Sequence, residues 1–188
     1  PRAPFVPQWQ TGSMSKQNQQ PLRYRVIASP LGDLGLVASH LGLTDVSFSS
    51  GADLRALASS APLKEARRKQ KYEEEPSAPE HHLDHAEEQL REYFAGERRN
   101  FALTLDVNPH LGLDGVPTLT TTVQLSLLEI PYGRTASYSQ VAELVGAPGA
   151  ERAVGTACAK NRLPIVLPCH RVVRSDGSLG HYGGGSEI

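Results

Sequence analysis

Cysteine is scarce in this sequence: only Cys158 and Cys169 occur among 188 residues. Two cysteines are too few for a scaffold held together by disulfides, and too few for a zinc site with four cysteine ligands. In a reducing compartment both remain free thiols. A free thiol is able to act as a nucleophile once it loses its proton.

Long apolar segments are also lacking. No apolar run approaches the length that crosses a bilayer, and residues 1–23 are polar and rich in proline and glutamine, without the apolar core of a signal peptide. We therefore expect a protein without membrane contact that works inside the cell.

A strong excess of charge is the third absence, since the formal net charge is −1. The charge is unevenly spread, however. Residues 131–175 hold six basic and two acidic residues, a balance of +4 within an otherwise acidic chain. Such a segment suits a surface that faces phosphates, and an ordinary solvated basic face explains it equally well.

Regular patterns predict a small sheet with one helix in the first half. Apolar and polar residues alternate over 24–38 and 43–48, which indicates antiparallel strands, and 101–107 alternates in the same way. Residues 83–94 carry apolar side chains at helical spacing, and Gly96 follows as a stop.

The chain divides into a tail, two domains and an insert. We expect residues 1–23 to be a disordered tail and residues 24–110 to form an N-terminal α+β domain. Residues 50–80 are a variable, charged insert with clustered lysines, arginines and glutamates, to which we assign no function. Residues 111–188 form a C-terminal, mainly helical domain.

Two short helices joined by a glycine turn are predicted in the second domain. Ser137 and Gln140 have the spacing of a capping box, in which each side chain bonds the backbone N–H of the other residue. Gly146 ends this first helix, and Pro148 is expected to open the next one. A helix-turn-helix of this kind occurs in DNA-binding proteins and also as plain helix packing.

The second helix of the pair has small side chains. Apart from Arg152 and Lys160, its central residues are mostly glycine, alanine, threonine and cysteine, which would let its backbone approach a nucleic-acid groove closely. Arg152 would then be the one long side chain that projects near its start.

Cys169 lies in the segment that is the best candidate for a catalytic site. It follows a short apolar run at 165–167, predicted as a buried strand, and precedes His170 and Arg171. A neighbouring imidazole or guanidinium lowers the pKa of a thiol by stabilising the anion. The alternative is that Cys169 is a small buried hydrophobe. Cys158 has no basic neighbour on either side and is interpreted as packing.

An ordered set of motifs connects these features. The motifs are IPYG at 130–133, TxSY at 135–138, RAVG at 152–155, Asn161, PCHRV at 168–172 and YGG at 182–184. In this order and at these spacings the set resembles the O6-alkylguanine-DNA alkyltransferases, also called methylated-DNA–protein-cysteine methyltransferases. Looser similarity extends into the first domain at SPLG (29–32) and EYFAGER (92–98).

The resemblance implies an α+β protein: an N-terminal antiparallel sheet with a helix, and a C-terminal helical domain with a helix-turn-helix and an active-site cysteine. It implies DNA repair, in which the alkyl group on guanine O6 moves irreversibly to Cys169, once per molecule and without a cofactor. The implied partner is double-stranded DNA containing O6-alkylguanine. The implied state is a monomer, in the nucleus or the bacterial cytoplasm.

The resemblance also assigns catalytic roles. Cys169 attacks the alkyl carbon, and His170 draws the thiol proton through a water molecule. Tyr138 donates a proton to the leaving guanine at N3. Asn161 ties the turn between the recognition helix and the active-site segment.

DNA contacts and a base pocket are implied in the same way. Arg152 takes the place that the flipped base vacates in the stack. Ser137, Tyr138 and backbone groups around Ala150 and Glu151 meet phosphates. The residues implied to line the pocket are Pro164, Val172, Tyr182 and Gly183.

Two further expectations complete this set. The family continues past the YGG turn into a helix whose glutamate orients the histidine, whereas this sequence ends at Ile188, so the resemblance implies a truncated second domain and a slow reaction. An alternative from another class is a non-catalytic sensor that binds alkylguanine in DNA and recruits other repair factors. Relatives of that kind lack the cysteine that Cys169 supplies here.

No metal site is expected. His81, His82 and His85 form an HHxxH pattern that could place two ligands on one helix face. Their acidic, exposed surroundings favour a solvated helix face instead.

Overall fold

A twisted sheet with one long helix forms the first half of the computed structural model, which describes residues 22–48, 63–65, 77–107 and 117–180. The strands are β1 (Leu22–Ser29), β2 (Gly32–Ala38), β3 (Leu43–Ser47) and β4 (Leu63–Glu65), in the order β3-β2-β1-β4. Strands β1 to β3 are antiparallel neighbours, and β4 lies parallel to β1 at the edge.

The β1–β2 hairpin follows from its turn residues. Ser29 Oγ accepts a hydrogen bond from the backbone N–H of Leu31 (3.1 Å) and donates one to the Gly32 carbonyl (2.6 Å). Gly32 has φ +95°, a conformation that glycine adopts at little cost. The turn fixes the register, so Val26 pairs with Gly35.

Helix α1 (Ala78–Phe94) covers one face of the sheet. Its Leu83, Ala86 and Leu90 are fully buried in the same core as Leu34 and Leu36 of β2. Burying each leucine stabilises the fold by about 2 kcal/mol. The helix and the antiparallel sheet confirm the α+β class.

The charged insert contributes more structure than its composition suggested. Residues 63–65 form strand β4, and Ser77 caps α1 through a capping box with Glu80, so the helix begins inside the insert and not at position 83. At the other boundary, β1 begins at Leu22, inside the predicted tail. Residues 1–21 and the remainder of the insert up to residue 76 lie outside the described residues.

The strand predicted over residues 101–107 is wrong as an element. Among the described residues, the segment forms no strand and meets the sheet through a single bridge, between Leu105 and Leu43. Two backbone hydrogen bonds hold it there, from Leu43 N–H to the Thr104 carbonyl and from Asp106 N–H to the Leu43 carbonyl. Gly42 is required at this point because a Cβ would collide with the backbone at Thr104.

Short helices build the second half. They are α2 (Leu119–Ser126), continued by a 3-10 turn (Leu127–Glu129), then α3 (Tyr138–Leu144) and α4 (Glu151–Ala159). Buried aliphatic side chains join the three helices in a second core. No helix among the described residues is both long enough and apolar enough to cross a membrane.

The capping box at the start of α3 is confirmed. Gln140 N–H donates to Ser137 Oγ (3.1 Å), and Ser137 N–H donates to Gln140 Oε1 (2.8 Å). Gly146 has φ +72° where the helix ends. The next helix begins at Glu151 and not at Pro148, because Gly149 lies between them in a left-handed conformation (φ +84°).

The apolar run after α4 is a turn, and the predicted strand at 165–167 is wrong. Ile165 has φ +73°, which no strand permits. The side chains of Leu163, Ile165 and Leu167 are buried in the core of the first half, against the sheet and α1. A short apolar run indicates burial, but it does not separate a strand from a buried turn.

Candidate active site

Cys169 opens a short 3-10 turn (Cys169–Arg171) and is 8% exposed. Its backbone N–H donates to the Leu167 carbonyl (2.8 Å), so the buried turn that precedes it fixes its position. Its side chain belongs to the second core, together with Val154 and Val172. The thiol therefore lies on the inner side of the segment.

Burial raises the pKa of the Cys169 thiol, and hydrogen bonds act against this. The opposing groups are the Asn161 side chain and backbone hydrogen bonds at Cys169 and His170. The prediction that the Arg171 guanidinium favours the thiolate is wrong. Its Nη1 donates to the Ile130 carbonyl (2.8 Å), and its Cζ lies 5.6 Å from the centre of the Tyr132 ring.

Asn161 follows α4 and holds the turn that precedes Cys169. Its Nδ2 donates to the Leu167 carbonyl (2.8 Å), and its Oδ1 accepts from the Leu163 N–H (3.0 Å). The Asn161 side chain also lowers the pKa of the Cys169 thiol, an effect beyond the structural role that the resemblance stressed.

We expect Asn161→Ala to shift the pH profile of Cys169 alkylation to higher pH. The variant loses a hydrogen bond that favours the thiolate, so the folded-state pKa rises further and less thiolate is present at neutral pH. A hydrogen bond to a charged group contributes about 1.5 kcal/mol, which corresponds to a rate about tenfold lower at neutral pH. The measurement is the rate of reaction with free O6-benzylguanine between pH 6 and 10.

The control for this experiment is Asn100→Ala, which changes an exposed asparagine in a loop of the first half. Thermal unfolding of both variants reports any loss of structure. An unchanged pH profile in a folded Asn161→Ala protein would show that Asn161 does not act on the thiol.

His170 lies at the surface directly after Cys169. Partial desolvation lowers the pKa of its imidazole, and the neighbouring charge of Arg171 lowers it further. The side chain is consequently neutral at neutral pH. A neutral imidazole is able to accept a proton.

Tyr138 packs between two glycines. Its ring lies over Gly155 of α4, where a Cβ would sit 3.8 Å from Cε1, and its hydroxyl lies against Gly180, where a Cβ would collide with it. Burial raises the pKa of the phenol, and so do Cys158 and Cys169, whereas Arg174 lowers it. Tyr138 is thus close to the Cys169 thiol, and it packs against the core cluster that contains Cys169.

A small two-stranded parallel sheet joins the start of α3 to the segment that follows Cys169. Strand β5 (Ala136–Ser137) pairs with β6 (Val172–Val173), in the register Ala136 with Val172 and Ser137 with Val173. The start of α3 is therefore fixed beside the chain that leaves Cys169. Tertiary pairing, and not proximity in sequence, places Tyr138 next to the active-site turn.

The other residues singled out in the sequence differ in exposure. Arg152 and Glu151 are exposed at the start of α4, Ala150 is half-buried, and Ser137 is half-buried with its hydroxyl engaged in the cap. Arg152 has no ion pair or side-chain hydrogen bond in the described part of the chain.

The residues predicted to line a base pocket are only partly described. Val172 is fully buried in the second core and Pro164 is half-buried. Tyr182 and Gly183 lie outside the described residues. In the described ranges, no three histidine, cysteine or acidic side chains converge in a way that could hold a metal ion.

Two residues beside Tyr138, Gly180 and Arg174, were not identified as site residues from the sequence. Gly180 is a glycine because the Tyr138 hydroxyl occupies the space of a side chain. Arg174 acts on Tyr138 although the two lie far apart along the chain. The excess of basic residues over 131–175 includes Arg174 but does not distinguish it from the others.

Family models match both halves of the chain. The DNA-binding domain of 6-O-methylguanine DNA methyltransferase matches residues 118–188, and the ribonuclease-like domain of the same protein matches residues 22–107. The chain belongs to the 6-O-methylguanine DNA methyltransferase family.

Relatives agree with this assignment. A methylated-DNA–protein-cysteine methyltransferase of Mycobacterium bovis is 39% identical over 164 residues, which cover 87% of this chain and 86% of that one. One of Mycobacterium leprae is 50% identical over 97 residues, and there the match spans 52% of this chain and 54% of the relative. The crystal structure of Mycobacterium tuberculosis OGT in complex with DNA superposes with a TM-score of 0.63 at 36% identity, covering 87% and 85% of the two chains.

Proposed function

We propose that this protein repairs DNA by moving the alkyl group of O6-alkylguanine irreversibly to its own Cys169. The observation that carries the proposal is the convergence of two separate segments on one buried thiol. Tyr138 packs against the core cluster that contains Cys169, and the Asn161 side chain lowers the pKa of the thiol and so favours the thiolate. Membership of the methyltransferase family supports the same reaction.

The proposed reaction is a direct displacement. The Cys169 thiolate attacks the alkyl carbon in line with the carbon–O6 bond, and a sulfur–carbon bond forms as the carbon–oxygen bond breaks. The electron pair of the broken bond stays with guanine. The product is a thioether, a poor electrophile that water does not cleave, so each molecule reacts once. The displacement itself calls for no cofactor, because sulfur and guanine exchange the alkyl group directly.

Protons move at both ends of the displacement. We assign His170 as the base that draws the thiol proton through a water molecule, a role that its lowered pKa favours because the imidazole starts neutral. We assign Tyr138 as the donor that gives a proton to guanine N3 as negative charge grows on the base. Asn161 holds the turn and favours the thiolate.

The proposed substrate is O6-alkylguanine within double-stranded DNA. A base inside a duplex is out of reach, so it must be flipped into the site, and the exposed Arg152 would fill the vacated place in the stack. Ser137, Tyr138, Ala150 and Glu151 would lie against the DNA backbone. The relative from Mycobacterium tuberculosis that superposes on this chain was crystallised with DNA.

The base pocket and the cellular setting complete the proposal. We propose that Pro164, Val172, Tyr182 and Gly183 line the space that receives the flipped base. The protein would act as a monomer, in the compartment that holds DNA: the nucleus, or the cytoplasm of a bacterium. We propose a domain division at residues 110 and 111, in which the first domain includes β1 from its start at Leu22 and the second comprises residues 111–188.

The test is the intact mass of the protein after incubation with duplex DNA that contains O6-methylguanine. We expect the mass to increase by one methyl group, in a yield limited to one equivalent, while the same duplex with unmodified guanine leaves the mass unchanged. Tight binding to the methylated duplex without any gain in mass would instead identify a non-catalytic sensor.

A further inference from the structure

Arg174 leaves the small β5–β6 sheet beside Tyr138. The two strands are parallel and Ser137 pairs with Val173, so the residues that follow them, Tyr138 and Arg174, emerge at the same end of the pair. Tyr138 is the residue that our proposed function places against the flipped base. Arg174 therefore stands at the rim of the same site.

The backbone around Arg174 is held in a tight turn. Arg174 N–H donates to the Ser178 carbonyl (2.9 Å), and Gly177 N–H donates to the Arg174 carbonyl (2.9 Å). Beyond the turn, Val173 bridges Leu179, and Gly180 closes against the Tyr138 hydroxyl. The turn therefore fixes the position of the Arg174 backbone relative to Tyr138.

The Arg174 guanidinium, like that of Arg152, has no side-chain partner in the part of the chain that the structure describes. Arg25, by contrast, contacts Asp84 and Glu87, and Arg162 contacts Asp45. Arg174 is exposed and has no ion pair or side-chain hydrogen bond within the ranges that the structure describes.

The carboxylate closest in sequence does not neutralise Arg174. Asp176 Oδ1 accepts hydrogen bonds from the Ser178 N–H (2.9 Å) and Ser178 Oγ (2.6 Å), within the turn itself. The Asp176 carboxylate reduces the positive potential around Arg174, but it does not form an ion pair with the guanidinium. The positive charge of Arg174 still reaches the neighbouring phenol, because it lowers the pKa of Tyr138.

We propose that Arg174 binds a backbone phosphate of the DNA strand that carries the flipped nucleotide. This inference rests on the proposed function. A flipped nucleotide stays covalently joined to its strand, so its flanking phosphates must pass the rim of the site. A planar guanidinium matches the oxygens of a phosphate, and its donors are free at that rim. The contact positions the strand and carries no sequence information.

The test is the salt dependence of binding to a duplex that contains O6-methylguanine, measured with the full chain carrying Cys169→Ala so that no transfer occurs. Each neutralised phosphate contributes about one unit to the slope of log K against log salt concentration. We expect Arg174→Ala to reduce this slope by about one. Arg174→Lys, which keeps the charge, should retain it.

Arg91→Ala is the matched control. Arg91 is an exposed arginine on α1 whose side chain is 76% accessible, and its replacement removes the same charge from the first half of the chain. We expect the slope to stay at the parental value. If both alanine variants lowered the slope equally, the loss of net charge alone would explain the effect and the proposal would be overturned. An unchanged slope in a folded Arg174→Ala protein would also overturn it.

Failure of this inference is distinguishable from failure of the proposed function. If Arg174→Ala keeps the parental slope while the native chain gains a methyl group, only the phosphate contact is wrong. If the native chain gains no methyl group but Arg174→Ala loses one unit of slope, the phosphate contact stands and the transfer reaction fails. A parental chain that does not bind DNA overturns both.

Discussion

Replacement of Cys169 by alanine is expected to abolish methyl transfer while DNA binding survives. The variant lacks the sulfur that the Asn161 side chain and backbone hydrogen bonds favour as an anion. Losing one buried thiol is a modest change in volume, so the fold should persist. The measurements are the intact mass after reaction with methylated DNA and the affinity for the same duplex.

Cys158→Ala is the matched control, because Cys158 is also buried and belongs to the same core. Burial raises the pKa of Cys158 to about 12, and the nearby Cys169 contributes to the shift. At pH 8 roughly one Cys158 in ten thousand would be ionised. We expect the control to gain one methyl group, which peptide mapping should locate on Cys169; a methyl group on Cys158 would contradict the assignment.

Arg152→Ala is expected to slow the repair of duplex DNA by at least about tenfold. An arginine that fills the stack offsets part of the unstacking free energy, which amounts to a few kcal/mol per flipped base, and each 1.4 kcal/mol corresponds to a factor of ten. Free O6-benzylguanine needs no flipping, so its reaction rate should remain close to that of the native chain.

The ratio of the two rates is the decisive quantity for Arg152. Lys160→Ala provides a control on the same helix, because Lys160 is an exposed cation at the opposite end of α4. We expect Lys160→Ala to lower the duplex rate much less than Arg152→Ala. If Arg152→Ala slowed the reactions with duplex and free base equally, its role would lie in the chemistry or in stability, and not in base flipping.

The first half of the chain supports the active site physically. The turn before Cys169 buries Leu163, Ile165 and Leu167 against the sheet and α1. A second contact runs through Tyr132, whose ring meets Tyr93 of α1 edge to face at 6.1 Å. The guanidinium Cζ atoms of Arg99 and Arg171 each lie 5.6 Å from the centre of that ring. Aromatic and cation–π contacts of this kind each contribute about 1 kcal/mol.

The activation of Cys169 shows the limit of reasoning from neighbours in sequence. Arg171 follows it by two residues, yet the guanidinium bonds the Ile130 carbonyl. Asn161, eight positions upstream, acts on the thiol. Residues one and two apart in a tight turn project in different directions, whereas a buried turn brings distant side chains together.

The sequence by itself determined the local structure. Ser137 and Gln140 specify the start of α3, Gly146 its end, and the Ser29–Gly32 turn the first hairpin, because each depends on backbone hydrogen bonds or a left-handed conformation within a few residues. The ordered motifs around Cys169 also identified the family, because they contain the residues assigned to the reaction and not residues chosen only for packing.

Only the tertiary structure decided how distant segments meet. The apolar run at 165–167 and residues 63–65 of the charged insert gave no local sign that one is a turn in the first core and the other an edge strand. The pairing of Ser137 with Val173, which sets Arg174 beside Tyr138, spans more than thirty residues along the chain. Such contacts depend on burial and on hydrogen bonds between segments that meet only when the whole chain folds, and no local pattern of residues encodes them.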